Sequence, residues 1–356
     1  MKRSMSVILG ALALMITVGC IWQYRKGDRD ASCTKQLFAM DTVMSFTAYG
    51  PKAEEAVDAA MKEIERLDAL LSTGNESSEI SQLNAAGSFL ISEDTLKLLE
   101  EAESIRQSTG GLFDVTVYPL MQLWGFPTGD YRVPTQEEIS STLSLVDAAQ
   151  IQIEGAQVTL GSGQQVDLGG IAKGYASDRV MELYREYGVT SGMVSLGGNI
   201  ETLGTKPDGT DWKIGIRNPE IAAASDIGSG TEDVLLALEV ENRAVITSGG
   251  YERYFEENGE TYIHILDPRT GYPADSGLLS VTVVSEKGML ADALSTSLYI
   301  MGEADAAEYW RIHGNDEGNS FELVLVDTSG KVYATKGLRD KIEMRNAAQR
   351  LEIVER

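Results

Sequence analysis

The chain has 356 residues, 43% of them hydrophobic, and a formal net charge of −24. So acidic a surface repels phosphate backbones, which excludes nucleic acid as a general partner; an anionic ligand would need local cations to overcome the global field. With only two cysteines, Cys20 and Cys33, a disulfide framework is excluded as the stabilising device.

The N-terminus carries the signature of an exported protein. Lys2 and Arg3 precede an uncharged apolar run from Val7 to Val18, followed by Gly19-Cys20. This is a charged region, a short apolar region and a small-residue cleavage site, and the run is too short for a comfortable membrane span. A cysteine directly after the small residue resembles the lipobox of bacterial lipoproteins, although Thr17 stands where that pattern usually has leucine. The resemblance implies that residues 1–19 are a signal peptide and that Cys20 becomes a lipidated first residue. Residues 20–35 are then expected to be a lipid-anchored tether, with the folded unit spanning 36–356. The expected location is outside the cytoplasm, anchored to the cell membrane.

The folded part alternates helical and strand patterns without regular β-α-β order. Gln36 to Tyr49 alternates and predicts an opening strand. Lys52 to Leu71, Asp94 to Ser108 and Ile171 to Tyr187 have helical spacing. Short strands are expected within Asp147 to Leu160. Further strands are predicted at Gly192 to Val194, Trp212 to Ile216, Val234 to Val240, Ala244 to Thr247, Tyr262 to Leu266 and Leu279 to Val284. Helices at Met289 to Tyr299 and Ala304 to His313 follow, then a hairpin from Leu323 to Thr335. Strands are many and consecutive, which predicts an α+β fold with largely antiparallel sheets flanked by helices, in one catalytic unit.

Three segments have the composition of a site. In Asp167-Leu168-Gly169-Gly170-Ile171-Ala172-Lys173-Gly174 a strand end meets two glycines and then a helix. Glycines there let a ligand approach the backbone, and the helix start offers N–H groups to an anion. Lys173 lies in the first turn, where it opposes the helix dipole, so it is either a phosphate contact or a solvated lysine. In Ala291-Asp292-Ala293-Leu294-Ser295-Thr296, Asp292 and Thr296 project from one helix face and offer hard oxygens suited to Mg²⁺. The same aspartate could instead be a helix cap. The third segment, His264 to Gly271, ends a predicted strand with His, Asp, Arg and Thr on a tight turn. The turns Gly197-Gly198-Asn199 and Thr247-Ser248-Gly249-Gly250-Tyr251 are either ligand-facing or ordinary. The parts of a serine hydrolase, a zinc protease or a thiol enzyme are missing.

Taken in order, Met40-Asp41-Thr42, Ser78 to Asn84, Gly110 to Asp114, Leu123 to Phe126, Asp167 to Gly174, Leu196 to Asn199, Ser248 to Tyr251, His264 to Gly271 and Ala291 to Thr296 resemble the ApbE family. Its members are Mg²⁺-dependent FAD:protein FMN transferases. The resemblance implies flavin contacts from Met40, Leu112, Phe113, Asp114, Asp167, Lys173 and Ile265. It implies metal ligation by the Gly170 carbonyl, Asp292 and Thr296, and a catalytic role for His264. The implied reaction moves FMN from FAD to a threonine of an acceptor protein, an extracytoplasmic part of a membrane redox complex, and releases AMP. FAD hydrolysis to FMN and AMP is the alternative use of the same residues, and a non-enzymatic FAD-binding lipoprotein is the other. Two departures stand out. Gly74 occupies a place where many members have an aromatic wall, and the acceptor-type motif is absent, so self-flavinylation is not expected.

Overall fold

The computed structural model describes residues 31–224, 234–345 and 350–356. Residues 1–19 and Cys20 lie outside them. Its frame is a nine-stranded sheet whose spatial order follows chain order: Ser32–Ala39, Thr42–Tyr49, Ser191–Leu196, Asn199–Leu203, Ala244–Gly249, Leu278–Ser285, Phe321–Asp327, Val332–Thr335 and Leu351–Val354. Each pair is antiparallel except the last, which is parallel. The expected α+β class with mainly antiparallel sheets is what the chain adopts.

Both faces of the sheet centre are covered, which explains its near-continuous apolar strands. Ile246, Val283, Leu323 and Leu325 face the main core, where the helices Ala53–Leu71, Ala172–Glu186 and Gly288–Met301 pack. Their neighbours Val245, Val284, Val324 and Val326 point the other way, onto Trp212, Ile214, Leu236 and Leu238. Those residues belong to a second, three-stranded sheet of Trp212–Arg217, Val234–Val240 and Ile342–Met344. The period-2 alternation of a strand thus feeds two cores. A third cluster, around Leu120, Trp124, Phe126, Phe255 and Leu266, supports the short hairpin Tyr254–Glu257 and Glu260–Ile263.

Three sequence expectations need correction. The folded unit begins before residue 36: Ser32 to Lys35 pair in full register with Tyr49 to Phe46, so residues 32–35 are strand and not tether. Cys33 therefore sits half-buried in that strand, where desolvation raises its thiol pKa. The predicted strand over 36–49 is a hairpin, reversed at Met40 and Asp41, which both take positive φ (47° and 58°). The strand expected to run to Leu266 stops at Ile263, and Leu266 keeps one isolated bridge to Pro273.

Candidate active site

Two helices and the turns around them build the site. The lysine-bearing helix, Ala172–Glu186, starts immediately after the Gly169-Gly170 turn and has no side-chain cap of its own. The aspartate-bearing helix, Gly288–Met301, is buried nearly all round, and Thr296 is one of its two half-exposed positions. Its Gly, Ala and Ser residues let neighbouring backbone come close. Asp292 is not the cap of this helix; it lies in the second turn, buried to 5% exposure.

The Asp292 carboxylate is held at both ends. Oδ2 accepts the Gly174 backbone N–H at 2.8 Å, and Oδ1 accepts the Asn199 side-chain N–H at 3.0 Å. Burial pushes its pKa above the usual range, while the Lys173 charge and these bonds oppose the shift. Lys173 makes no ion pair within 4 Å among the described residues. One turn along the helix from Asp292, Thr296 Oγ1 lies 3.3 Å from Ser248 Oγ, which also meets Ser295 Oγ at 2.7 Å. Gly170 closes the group. A methyl placed on it would lie 3.2 Å from Phe113 Cε2 and 3.9 Å from Thr296 Oγ1. The glycine backbone thus faces the threonine hydroxyl, with the Phe113 ring as a wall.

His264 approaches from the third cluster. Its backbone N–H and its ring Nδ1 both lie against the Arg253 carbonyl, at 3.0 and 3.1 Å. A proton on Nδ1 satisfies that carbonyl and leaves Nε2 as the free base. Arg253 is in turn tied by its guanidinium to the Phe126 carbonyl at 2.9 Å, and the Phe126 ring meets the His264 imidazole edge-on at 6.4 Å. Desolvation pulls the His264 pKa down to about 4, with the Arg253 and Lys173 charges acting in the same direction. Arg253 and Lys173 are therefore both within electrostatic reach of the His264 ring.

The remaining expected site residues divide. Met40 sits at the hairpin tip, and the adjacent Thr42 presses on Gly197 of the turn that leads into Asn199. Asp167 accepts the Gly169 N–H at 2.8 Å, and burial raises its pKa against the Arg253 charge. Leu112, Phe113 and Ile265 are buried in the main core. The Asp114 carboxylate is engaged structurally: Oδ1 accepts from Thr116 N and Oγ1 at 2.8 and 2.5 Å, and Oδ2 from Ala148 N at 2.9 Å. Its two oxygens brace a turn beside Phe113. Asn199, Ser248 and Arg253 were not singled out as site residues. Asn199 and Ser248 lie in segments that carry the family resemblance, but as turns they look like ordinary ones, and no sequence signal marked Arg253.

No cluster of three or more His, Cys, Asp and Glu among the described residues is placed to hold a metal. One buried carboxylate, a hydroxyl and a backbone carbonyl nevertheless suit Mg²⁺, which uses one or two carboxylates and completes its shell with water and phosphate oxygens. A buried carboxylate with a lone ammonium nearby has the charges that could hold a cation–phosphate pair. An enzyme site for phosphorylated ligands on an α+β frame is the class these features define.

The comparisons sharpen that class. Residues 40–317 match the model of the ApbE family. The chain is 33% identical over 303 residues to an FAD:protein FMN transferase of Haemophilus influenzae, covering 82% of this chain and 83% of that protein. It is 36% identical over 246 residues to a protein of the same name from Vibrio cholerae, covering 67% and 71%. Among solved structures, the ApbE protein of Thermotoga maritima superposes with a TM-score of 0.78 at 31% identity, over 87% of this chain and 99% of that one. The flavin transferase ApbE of Vibrio cholerae gives 0.74 at 27% identity, over 87% and 99%. This chain belongs to the ApbE family.

Proposed function

We propose that this protein is an FAD:protein FMN transferase that moves FMN from FAD to a threonine hydroxyl of an acceptor protein, with Mg²⁺ as cofactor and AMP as the leaving product. The observation that carries this reading is the gathering of half-exposed Thr296, Gly170 and Lys173, from two helices and a turn, around the buried Asp292 carboxylate. The names of the relatives agree with it.

Asp292, Thr296 and the Gly170 carbonyl are the groups that would hold Mg²⁺. When bound, the ion supplies neutralising charge at the FAD pyrophosphate, which is what phosphoryl transfer chiefly needs. Lys173 adds an ammonium that the rest of the described chain leaves without an ion pair. Phe113 walls the glycine turn. His264 Nε2 takes the proton as the threonine Oγ bonds to the FMN-side phosphorus; the bond from that phosphorus to the bridging oxygen breaks, and AMP leaves with that oxygen.

The test mixes the protein, FAD, Mg²⁺ and an acceptor domain. Flavin fluorescence that stays on the acceptor in a denaturing gel supports transfer. Free FMN plus AMP identifies a pyrophosphatase, and FAD that binds without turnover identifies a carrier. Asp292→Ala abolishes labelling under this reading, and normal labelling by that variant removes the metal assignment.

The N-terminal pattern supports an extracytoplasmic protein anchored through a lipidated Cys20. Among the described residues no helix is long and apolar enough to cross a membrane. Mass analysis of the mature N-terminus decides this: an unmodified Met1 or Cys20 overturns it.

A further inference from the structure

The lysine-bearing and aspartate-bearing helices are joined by a reciprocal pair of bonds. Gly174 and Asp178 are four residues apart on one helix; Gly288 and Asp292 are four apart on the other, so each pair shares a face. The Gly174 N–H donates to Asp292 Oδ2 at 2.8 Å. In the opposite direction, Gly288 N–H donates to Asp178 Oδ1 at 2.6 Å, and Met289 N–H to Oδ2 at 2.9 Å. The glycines permit this crossing. A methyl on Gly174 would come within 2.2 Å of the Gly288 carbonyl oxygen, and one on Gly288 within 2.5 Å of the Gly174 carbonyl oxygen.

The first N–H groups of any helix lack partners within the helix. The aspartate-bearing helix has no side-chain cap of its own at Lys287, so Asp178 supplies the acceptors from outside. Asp292 follows Gly288 by about one turn. Whatever fixes the first turn therefore fixes where the Asp292 carboxylate stands. Behind the crossing lies Glu201, 4% exposed, whose Oε2 has no hydrogen-bond partner among the described residues and faces Gly288. Burial and the neighbouring Asp178 charge raise the Glu201 pKa well above the usual range, and burial raises that of Asp178 as well. Of the two carboxylates, Asp178 is the one that receives two backbone N–H groups, at 2.6 and 2.9 Å.

We propose that Asp178 is a positioning residue for the reaction: by capping Gly288 and Met289 it sets the first turn of the aspartate-bearing helix and so places Asp292 for Mg²⁺. This rests on the metal reading above. Partners one shell out from a metal ligand typically contribute 10–100-fold in affinity.

The test compares native protein with Asp178→Asn and Glu201→Gln, using Mg²⁺ itself in calorimetric titration with FAD present, and amide hydrogen exchange. Asp178→Asn keeps the shape and loses one strong acceptor. Its Mg²⁺ dissociation constant is expected to rise by about tenfold or more. FAD binding without Mg²⁺ should stay within about twofold, and the Gly288 and Met289 amides should exchange faster. Glu201→Gln keeps the shape of a residue that bonds neither Gly288 N nor Met289 N and should retain native Mg²⁺ affinity. Unchanged Mg²⁺ affinity in Asp178→Asn overturns the proposal, as does an equal loss in Glu201→Gln. If native protein binds no Mg²⁺, the metal reading has failed instead, and the exchange measurement still decides the clamp: unprotected amides in native protein, or unchanged ones in the variant, overturn it.

Discussion

Asn199 and Asp292 meet through a 3.0 Å hydrogen bond from the side-chain amide to Oδ1, although 93 residues separate them in sequence. Both are buried. The asparagine follows the Gly197-Gly198 turn, where φ is +63° and +101°. Strand pairing fixes that turn, because Asn199 is paired with Leu196 in the register of the central sheet. The sheet therefore holds one end of the carboxylate, and the lysine-bearing helix holds the other.

Asn199→Ala follows directly. It leaves Asp292 Oδ1 without its amide donor in a buried place, and a hydrogen bond to a charged group contributes about 1.5–3 kcal/mol. The expected result is a lower denaturation midpoint and weaker Mg²⁺ dependence of flavinylation. Mg²⁺ titration of activity, alongside urea unfolding, checks both. Asn199→Asp should be worse, since a second carboxylate would face the first.

Gly174→Ala tests the helix crossing. Its methyl would fall 2.2 Å from the Gly288 carbonyl oxygen and 2.6 Å from Asp292 Cβ, both in well-packed surroundings. The gain in helix propensity from Gly to Ala is at most about 1 kcal/mol. Overpacking costs about 1–3 kcal/mol and pushes the helices apart, so the net change is loss of stability together with loss of transfer. Gly188→Ala is a different case, since nothing lies near its Cβ but φ is +79°; a modest loss without an activity defect is expected there. Thermal unfolding and the gel assay separate the two.

The candidate site residues were legible in sequence as short segments, each locally ordered. Asp292 and Thr296 are four apart on one helix, so helical geometry alone relates them, while Gly170 lies in the turn just before the helix that carries Lys173. What joins the two segments was not legible. The crossing depends on Gly174 and Gly288 giving two backbones room, and a glycine in a helix says nothing about which helix it meets. Asp114, which the family resemblance implies as a flavin contact, also has a local role that the sequence did not show: its oxygens accept from Thr116 and Ala148. The fold class followed from strand patterns, yet the two-sided burial of Ala244–Gly249 and Leu278–Ser285 needed the second sheet to explain it. The hairpin reversal at Met40-Asp41 was missed because neither residue is a glycine, although both take positive φ.

Lys173→Gln removes an ammonium that acts on Asp292, Glu252 and His264. In a chain of net charge −24, loss of this cation exposes a phosphate ligand to the surrounding field. FAD affinity is expected to fall by about 10–100-fold, as for one charge-assisted contact of about 1.5–3 kcal/mol. The residual binding should depend less on salt than that of the native protein. Fluorescence titration with FAD at two ionic strengths checks this.

His264 makes two opposed predictions about pH. Its pKa in the folded protein, about 4, lies below the ordinary 6.5. Between these values the unfolded chain binds a proton that the native state refuses, so stability rises with pH across this window and is fully present above about 6.5. Acid should therefore destabilise native protein between pH 6.5 and 4 more than it destabilises His264→Gln, as thermal unfolding at several pH values would show. Binding of FAD acts the other way. Its pyrophosphate brings negative charge toward an imidazole now depressed by Arg253 and Lys173, and a nearby anion favours the protonated form. The His264 pKa should rise in the FAD complex, toward the range where Nε2 is a competent base at neutral pH. NMR titration of the imidazole, made simple by the presence of only two histidines, measures both values; an FAD complex with no upward shift would remove His264 from the proton transfer and leave it a structural neighbour of the Arg253 carbonyl.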